Sequence, residues 1–168
     1  MTISMYQASV PVLTHSLKAL AGVLAKGAAS AEARKIDPTV FLTDRLAPDM
    51  FALTRQVQIA TDMSKGGVAR LAGVEIPKFD DNEASFADLQ ARIEKTIAFL
   101  GSVTAAQVDG TEDKDITISV AKQDMHFKGQ AYLLHWVLPN VFFHITTAYN
   151  ILRHNGVDVG KRDFLGSF

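Results

Sequence analysis

The sequence predicts an all-α fold: a four-helix bundle with a long crossover and a small β-hairpin inserted before the last helix. Three observations predict it. Four segments repeat apolar residues at spacings of three and four, one segment between Ile116 and Lys128 alternates instead, and glycines and prolines punctuate the joins. With 168 residues the chain reads as one domain, residues 1–168, long enough to bury about 70 % of its unfolded surface.

In the first helix Tyr6, Val10, Leu13, Leu17, Leu20 and Leu24 form one stripe. Pro11 lies one turn inside it and either kinks the helix or marks its start, because an interior proline costs about 3 kcal/mol. Gly27 is a suitable stop, followed by a short helical linker that ends before Pro38. The second helix is expected to open at Ala47–Pro48–Asp49, since proline suits the first helical position and a carboxylate suits the positive end of the dipole. Met50, Leu53, Val57, Ala60, Ser64 and Leu71 follow one stripe, and Gly73 ends it. Gly66–Gly67 marks close helix packing or a bend.

Ser85 reads as the N-cap of the third helix, with Asp88 three residues on in place of the usual glutamate. Phe86, Leu89, Ile93, Thr96, Leu100 and Val103 carry it to about Gln107. Ile116, Ile118 and Val120 alternate with Thr117 and Ser119, and Met125 and Phe127 flank His126, which predicts a hairpin turning near Lys122–Asp124. Val141, Ile145, Ala148, Ile151 and Leu152 form the buried side of the fourth helix, which Pro139 opens or kinks. Arg153 and His154 suit its negative end, and Asn155–Gly156–Val157 supplies a left-handed glycine with an apolar residue behind it, the Schellman pattern. Long connections after the first two helices leave a simple up-down-up-down order unrequired.

Composition narrows the function classes. Apolar residues make up 48 % and charged residues 21 %, enough for a core and against disorder. The net charge is −1 and the cations are scattered, so neither nucleic acid nor an anionic membrane surface has an electrostatic footprint. Without cysteine there is no disulfide, thiolate metal site or cysteine nucleophile. MTISMYQASVPVL lacks a basic start and a small-residue cleavage site, and no uninterrupted apolar run of about 20 residues is evident. A cytoplasmic domain of bacterial type is the expectation.

The chain has no Gly-x-Ser-x-Gly, His-Glu-x-x-His, phosphate loop or Gly-x-Gly-x-x-Gly, and no Glu-x-x-His pair of the di-iron bundles. His144 is the best candidate for chemistry. It shares an inward line with Asn140, Ala148 and Ile151, and imidazole is both a metal ligand and an acid–base group near neutral pH. The plainer reading is a core histidine hydrogen-bonded to a neighbouring helix or to Asn140. Gln56, Gln58 and Asp62 form a second polar cluster, in which one glutamine is expected to face solvent, the other to be half-buried, and Asp62 to pair with Lys65.

His15 is expected at the surface, His126 facing outward and His154 as a helix-end cation, while His135 beside Trp136 is a candidate for burial at the bundle end. The aromatics Tyr132, Trp136, Phe142, Phe143 and Tyr149 are expected mostly in the core, with part of the cluster walling a pocket or forming a dimer face. GKRDFLG is expected to dock by Phe164 and Leu165 with its charges paired locally.

FHITTAYNILRHNG, GKRDFLGS, DMFALTRQVQIATD, ARLAG and PKFDDNEASFADLQARI together resemble an uncharacterised bacterial family within the DinB/YfiT-like superfamily. The resemblance spans nearly the whole chain. It implies a four-helix bundle with a long crossover, often dimeric, and in many members a divalent metal on three histidines: one from the second helix and two, four residues apart, from the last. His144 falls on the later of those two positions, Asn140 on the earlier, and Gln56 on the second-helix position, with Gln58 the choice if the register slips. The resemblance thus implies Gln/Asn/His where relatives have three histidines. Amide oxygens are weak neutral ligands for zinc or nickel.

Three readings follow. The first is a bundle of unknown function with a degenerate metal site, binding a small polar ligand through Gln56, Gln58, Asn140 and His144 and needing no cofactor. The second is an enzyme dependent on zinc or nickel through His144, a thiol-cofactor transferase or hydrolase. The third is a homodimeric scaffold using the aromatic last helix.

Overall fold

The computed structural model describes residues 3–167. Four long helices build the bundle: α1 (Met5–Ala33), α3 (Leu53–Ala72), α4 (Phe86–Ser102) and α7 (Leu138–His154). Short helices α2 (Pro38–Thr43), α5 (Ala105–Val108), α6 (Gly129–Tyr132) and α8 (Lys161–Leu165) and a hairpin of β1 (Asp115–Val120) and β2 (Gln123–Lys128) fill the connections. Around the bundle α1 packs on α4, α4 on α3, α3 on α7, and α7 back on α1. Consecutive helices α1 and α3 therefore sit across a diagonal, as do α4 and α7. Both connections must cross the bundle end, and they carry α2 and the hairpin respectively.

Local chemistry fixes most ends. Ser85 caps α4 by accepting from Asp88 N at 3.1 Å, as the sequence predicts, and Ser4 caps α1 by accepting from Gln7 N, a cap the sequence reading did not include. Gly73 ends α3 at φ +71°, and Lys114 Nζ reaches the Arg70 and Leu71 carbonyls at 2.9 and 2.8 Å, placing a cation on the negative end of that helix. The α7 end is a full Schellman motif. Gly156 lies at φ +78°, its N–H donates to Arg153 O, Val157 N–H donates to Leu152 O, and Val157 is buried.

Several expectations are corrected. Helix α1 does not stop at Gly27 but runs through it, because a Cβ there would lie 3.0 Å from Leu152 and 3.2 Å from Phe86; the glycine serves close packing, not termination. Helix α3 starts at Leu53, since residues 47–50 turn with Met50 N–H on Ala47 O, and an unforeseen α2 is capped by Asp37 on Thr39 N. Helix α4 ends at Ser102, and Thr104 with Gln107 caps a separate turn, α5. The hairpin turns on Ala121 and Lys122, at φ +50° and +67°, the two-residue loop with both φ values positive whose twist matches paired strands.

Helix α1 is long and apolar enough, by length and composition, to cross a membrane, although Lys18 and Lys26 interrupt its apolar run. Here it is a core helix: Leu13, Leu17, Leu20, Val23 and Leu24 are buried in the bundle centre with Leu89, Ile93, Val141 and Leu152. The aromatic segment is also less internal than expected. Tyr132 is buried and Trp136 and Tyr149 half-buried, but Phe142 and Phe143 are exposed.

Just before α7 the helix widens to a π turn, Leu133–Val137, in which Leu138 N–H donates to Leu133 O. Pro139 follows immediately, and the wider turn accommodates its missing donor. Asn140 Nδ2 donates to Trp136 O at 2.6 Å across this junction.

Candidate functional site

Two helices bring the predicted residues together. Gln56 lies in the first turn of α3, and His144 sits mid-way along α7, the helix that packs most extensively against it. Gln56 Nε2 donates to Phe51 O at 2.9 Å, which fixes the orientation of the amide. Its Oε1 then faces His144 Nδ1 at 2.7 Å and must accept, so Nδ1 carries the proton. Burial lowers the His144 pKa below 6.5, and the nearby Arg55 charge lowers it further. The ring is neutral at pH 7, with Nδ1–H donating and Nε2 holding the lone pair.

Among the described residues the His144 ring hydrogen-bonds only through Nδ1, and the residue is 9 % exposed. The Phe143 ring stands edge-on to the imidazole, with centroids 5.2 Å apart. Phe143, whose ring meets the imidazole, and Phe51, whose carbonyl holds Gln56, are 58 % and 57 % exposed.

The other two predicted residues do not join this pair. Asn140 is half-buried, and its amide turns back to its own helix at Trp136 O. Gln58 is buried, not half-exposed, as is Gln56; it accepts from Arg55 Nη1 at 3.1 Å and donates to Glu83 Oε2 at 2.8 Å. Gln56, not Gln58, is therefore the glutamine that meets His144.

Gln58 belongs instead to a network the sequence reading missed. Arg92 of α4 is 3 % exposed. Its Nε donates to Thr61 Oγ1 at 2.8 Å, Nη1 to Glu83 Oε1 at 2.8 Å and to Asp80 O at 3.1 Å, and Nη2 to Asp62 Oδ1 at 2.7 Å. Asp81 adds a contact at 3.1 Å, and Asp62 also pairs with Lys65 at 2.8 Å, the partner expected for it. Arg92 thereby clasps the α3–α4 connection to both helices. One signal could have found it: Arg92 adjoins Ile93 on the buried stripe, facing the acidic run of Asp80, Asp81 and Glu83.

The remaining histidines are dispersed. His126 is exposed and bonds Thr117, and His154 is exposed in the last turn, both as expected. His135 is exposed, not buried. His15 is half-buried and donates from Nε2 to Leu165 O at 2.6 Å. The tail charge Asp163 pairs not locally but with Lys26 of α1, at 2.7 Å.

A divalent metal of the three-histidine kind does not fit this donor set. Gln56 already spends both amide atoms on Phe51 and His144, and Asn140 donates within its own helix. Among the described residues no group of three histidine, cysteine or carboxylate side chains converges.

The profile of a domain of unknown function, DUF1993, matches residues 5–165. The chain belongs to the DUF1993 family. A solved structure of a DinB family member from Shewanella denitrificans is 43 % identical to this DUF1993 protein, covers 97 % of it and 92 % of its own chain, and superposes with a TM-score of 0.89. The DUF1993 fold is thus DinB-like. No curated protein matches the chain.

Proposed function

We propose that this DUF1993 protein is a small-molecule-binding bundle whose ancestral metal position has become a hydrogen-bonding pair. One observation carries the reading: the Phe51 carbonyl orients Gln56, and Gln56 holds His144 as the Nδ1–H tautomer. That leaves Nε2 as a directional acceptor beside the exposed ring of Phe143. The chemistry suits a small polar ligand that offers one N–H or O–H to Nε2 and a flat apolar body to that ring. The absence of cysteine suits action in a reducing cytoplasm.

The test combines two measurements on untagged protein. Imidazole nitrogen spectra should show His144 Nε2 responding to donor-bearing aromatic fragments, with the response lost in Gln56→Leu. Elemental analysis should find no stoichiometric transition metal. A stoichiometric zinc or nickel ion lost in His144→Ala would overturn the reading in favour of a metal-dependent transferase or hydrolase.

A second reading has its own observation. Phe51 and Phe143 are large exposed apolar residues, Phe143 with its ring against His144, and such surfaces suit a homodimer contact. Light scattering would then give a dimer that Phe143→Ser converts to monomer.

A further inference from the structure

Asn155, at the end of α7, ties three helices together away from the Gln56–His144 pair. Its amide nitrogen donates to Asp44 Oδ2 at 2.5 Å, on the residue that ends α2, and to Ile151 O at 2.9 Å in α7. Its carbonyl accepts from Arg34 Nη1 at 2.7 Å, at the end of α1. The Asp44 carbonyl in turn accepts from Leu53 N at the start of α3. One half-buried asparagine therefore pins the ends of α1, α2 and α7 where the chain crosses to α3.

Gly156 follows it, and an asparagine before glycine is open to attack by its own chain, because no side chain shields the glycine nitrogen. That nitrogen adds to Asn155 Cγ, and the new C–N bond closes a cyclic imide as the Cγ–Nδ2 bond breaks. Ammonia leaves with the proton that the glycine nitrogen loses. Water then opens the imide at either carbonyl, giving aspartate or isoaspartate. The other asparagines, Asn82, Asn140 and Asn150, precede Glu83, Val141 and Ile151, whose side chains crowd the same attack.

The fold holds this reaction off. At ψ 7° the Gly156 nitrogen eclipses the backbone nitrogen of Asn155 and is turned away from its side-chain carbon. The Gly156 N–H is engaged on Arg153 O at 3.0 Å, and both amide hydrogens are held by Asp44 and Ile151.

We propose that Asn155 is a latent deamidation site: local opening of the α7 end lets Gly156 attack it, and the product no longer closes the corner. Aspartate sets a carboxylate against Asp44 where a donor stood, and two carboxylates share that contact only when one is protonated. Isoaspartate also lengthens the backbone. It pulls Gly156 from its left-handed turn at φ +78° and draws the buried Val157 off Leu152 O. The corner is a latch that opens one way.

Peptide mass spectrometry of the full chain in mildly alkaline buffer, folded and in urea, tests the proposal. Residue 155 should convert in both, roughly tenfold faster in urea, and Asp44→Ala should raise the folded rate about threefold. Asn155→Asp should lower the melting temperature by about 2–4 °C, and Asn155→Asp with Asp44→Asn should recover it, a comparison that holds whether or not Asp44→Ala folds. Equal rates in urea and in the fold would overturn the proposal, as would no conversion of the folded chain. Asn155→Asp melting with the unsubstituted protein would overturn it too.

Discussion

Gly67 of α3 lies directly against Val137 of the π turn. A Cβ on Gly67 would stand 2.6 Å from Val137 Cγ1 and 2.9 Å from Cγ2. Both residues are buried, so neither can swing away. Gly67→Ala should therefore destabilise the fold by about 1–3 kcal/mol through overpacking. Val137→Ala in the same chain should recover part of the loss, and a double-mutant cycle in urea measures the coupling. Additive effects would show that the two do not share the space.

Arg92→Met should destabilise by about 2–3 kcal/mol. Breaking a fully buried ion pair costs about 3–5 kcal/mol, and the figure is discounted because Asp62 and Asp81 are 37 % and 42 % exposed. Glu83, with a side chain 7 % exposed, is the partner left stranded. Adding Glu83→Gln to Arg92→Met should restore part of the stability, because it removes the orphaned charge; equilibrium unfolding of the two variants decides the matter.

Stability should fall in two steps as pH drops. His144 has a folded pKa below 6.5, so the unfolded chain takes up its proton first and stability declines from about pH 6.5 downward. Glu83 behaves as a lowered carboxylate. Burial pushes its carboxyl up, but hydrogen bonds from Arg92 and Gln58 together outweigh that and hold it below 4.5. Its contribution is present above about 4.5 and lost as pH falls through the lower folded value. Chemical denaturation across pH should show the upper step vanish in His144→Gln and the lower one shrink in Glu83→Gln, the remainder belonging to Asp37, Asp88 and Asp163, whose carboxyls are also held below the usual range by hydrogen bonds.

Gln56→Leu should release the His144 tautomer. Without an acceptor at Nδ1, the ring has no reason to keep its proton there, and the two nitrogen resonances should move towards the mixture seen in free imidazole. Unchanged nitrogen shifts would mean that something other than Gln56 fixes the ring.

The double change Gln56→His with Asn140→His should create zinc binding. It places imidazoles across from His144 and one helical turn before it, the donor type zinc prefers to amides. Calorimetry should give one zinc per chain in the variant, and a stoichiometry near zero would show that this backbone does not support a three-histidine site.

Local physics was legible in the sequence. The helical stripes, the Ser85 cap, the Gly73 stop, the Schellman end at Gly156 and the hairpin all follow from spacing and turn chemistry within a few residues, where every interacting group is close along the chain. Gly27 shows where such reading ends. It looks like a stop locally, yet it is needed because the distant Leu152 presses on it; Gly66–Gly67 read as close packing or a bend, but only the fold names Val137 as what Gly67 packs against.

The candidate site divides along the same line. Periodicity singled out His144 and the family resemblance pointed to Gln56, but only packing of α3 on α7 set them 2.7 Å apart across 88 residues. Only the α3–α4 contact buried Arg92 and drew Gln58 away to Glu83. Periodicity tells which face of a helix turns inward. Which residue meets which partner there depends on the rotation and height at which two helices interlock, and that is settled by the whole core at once.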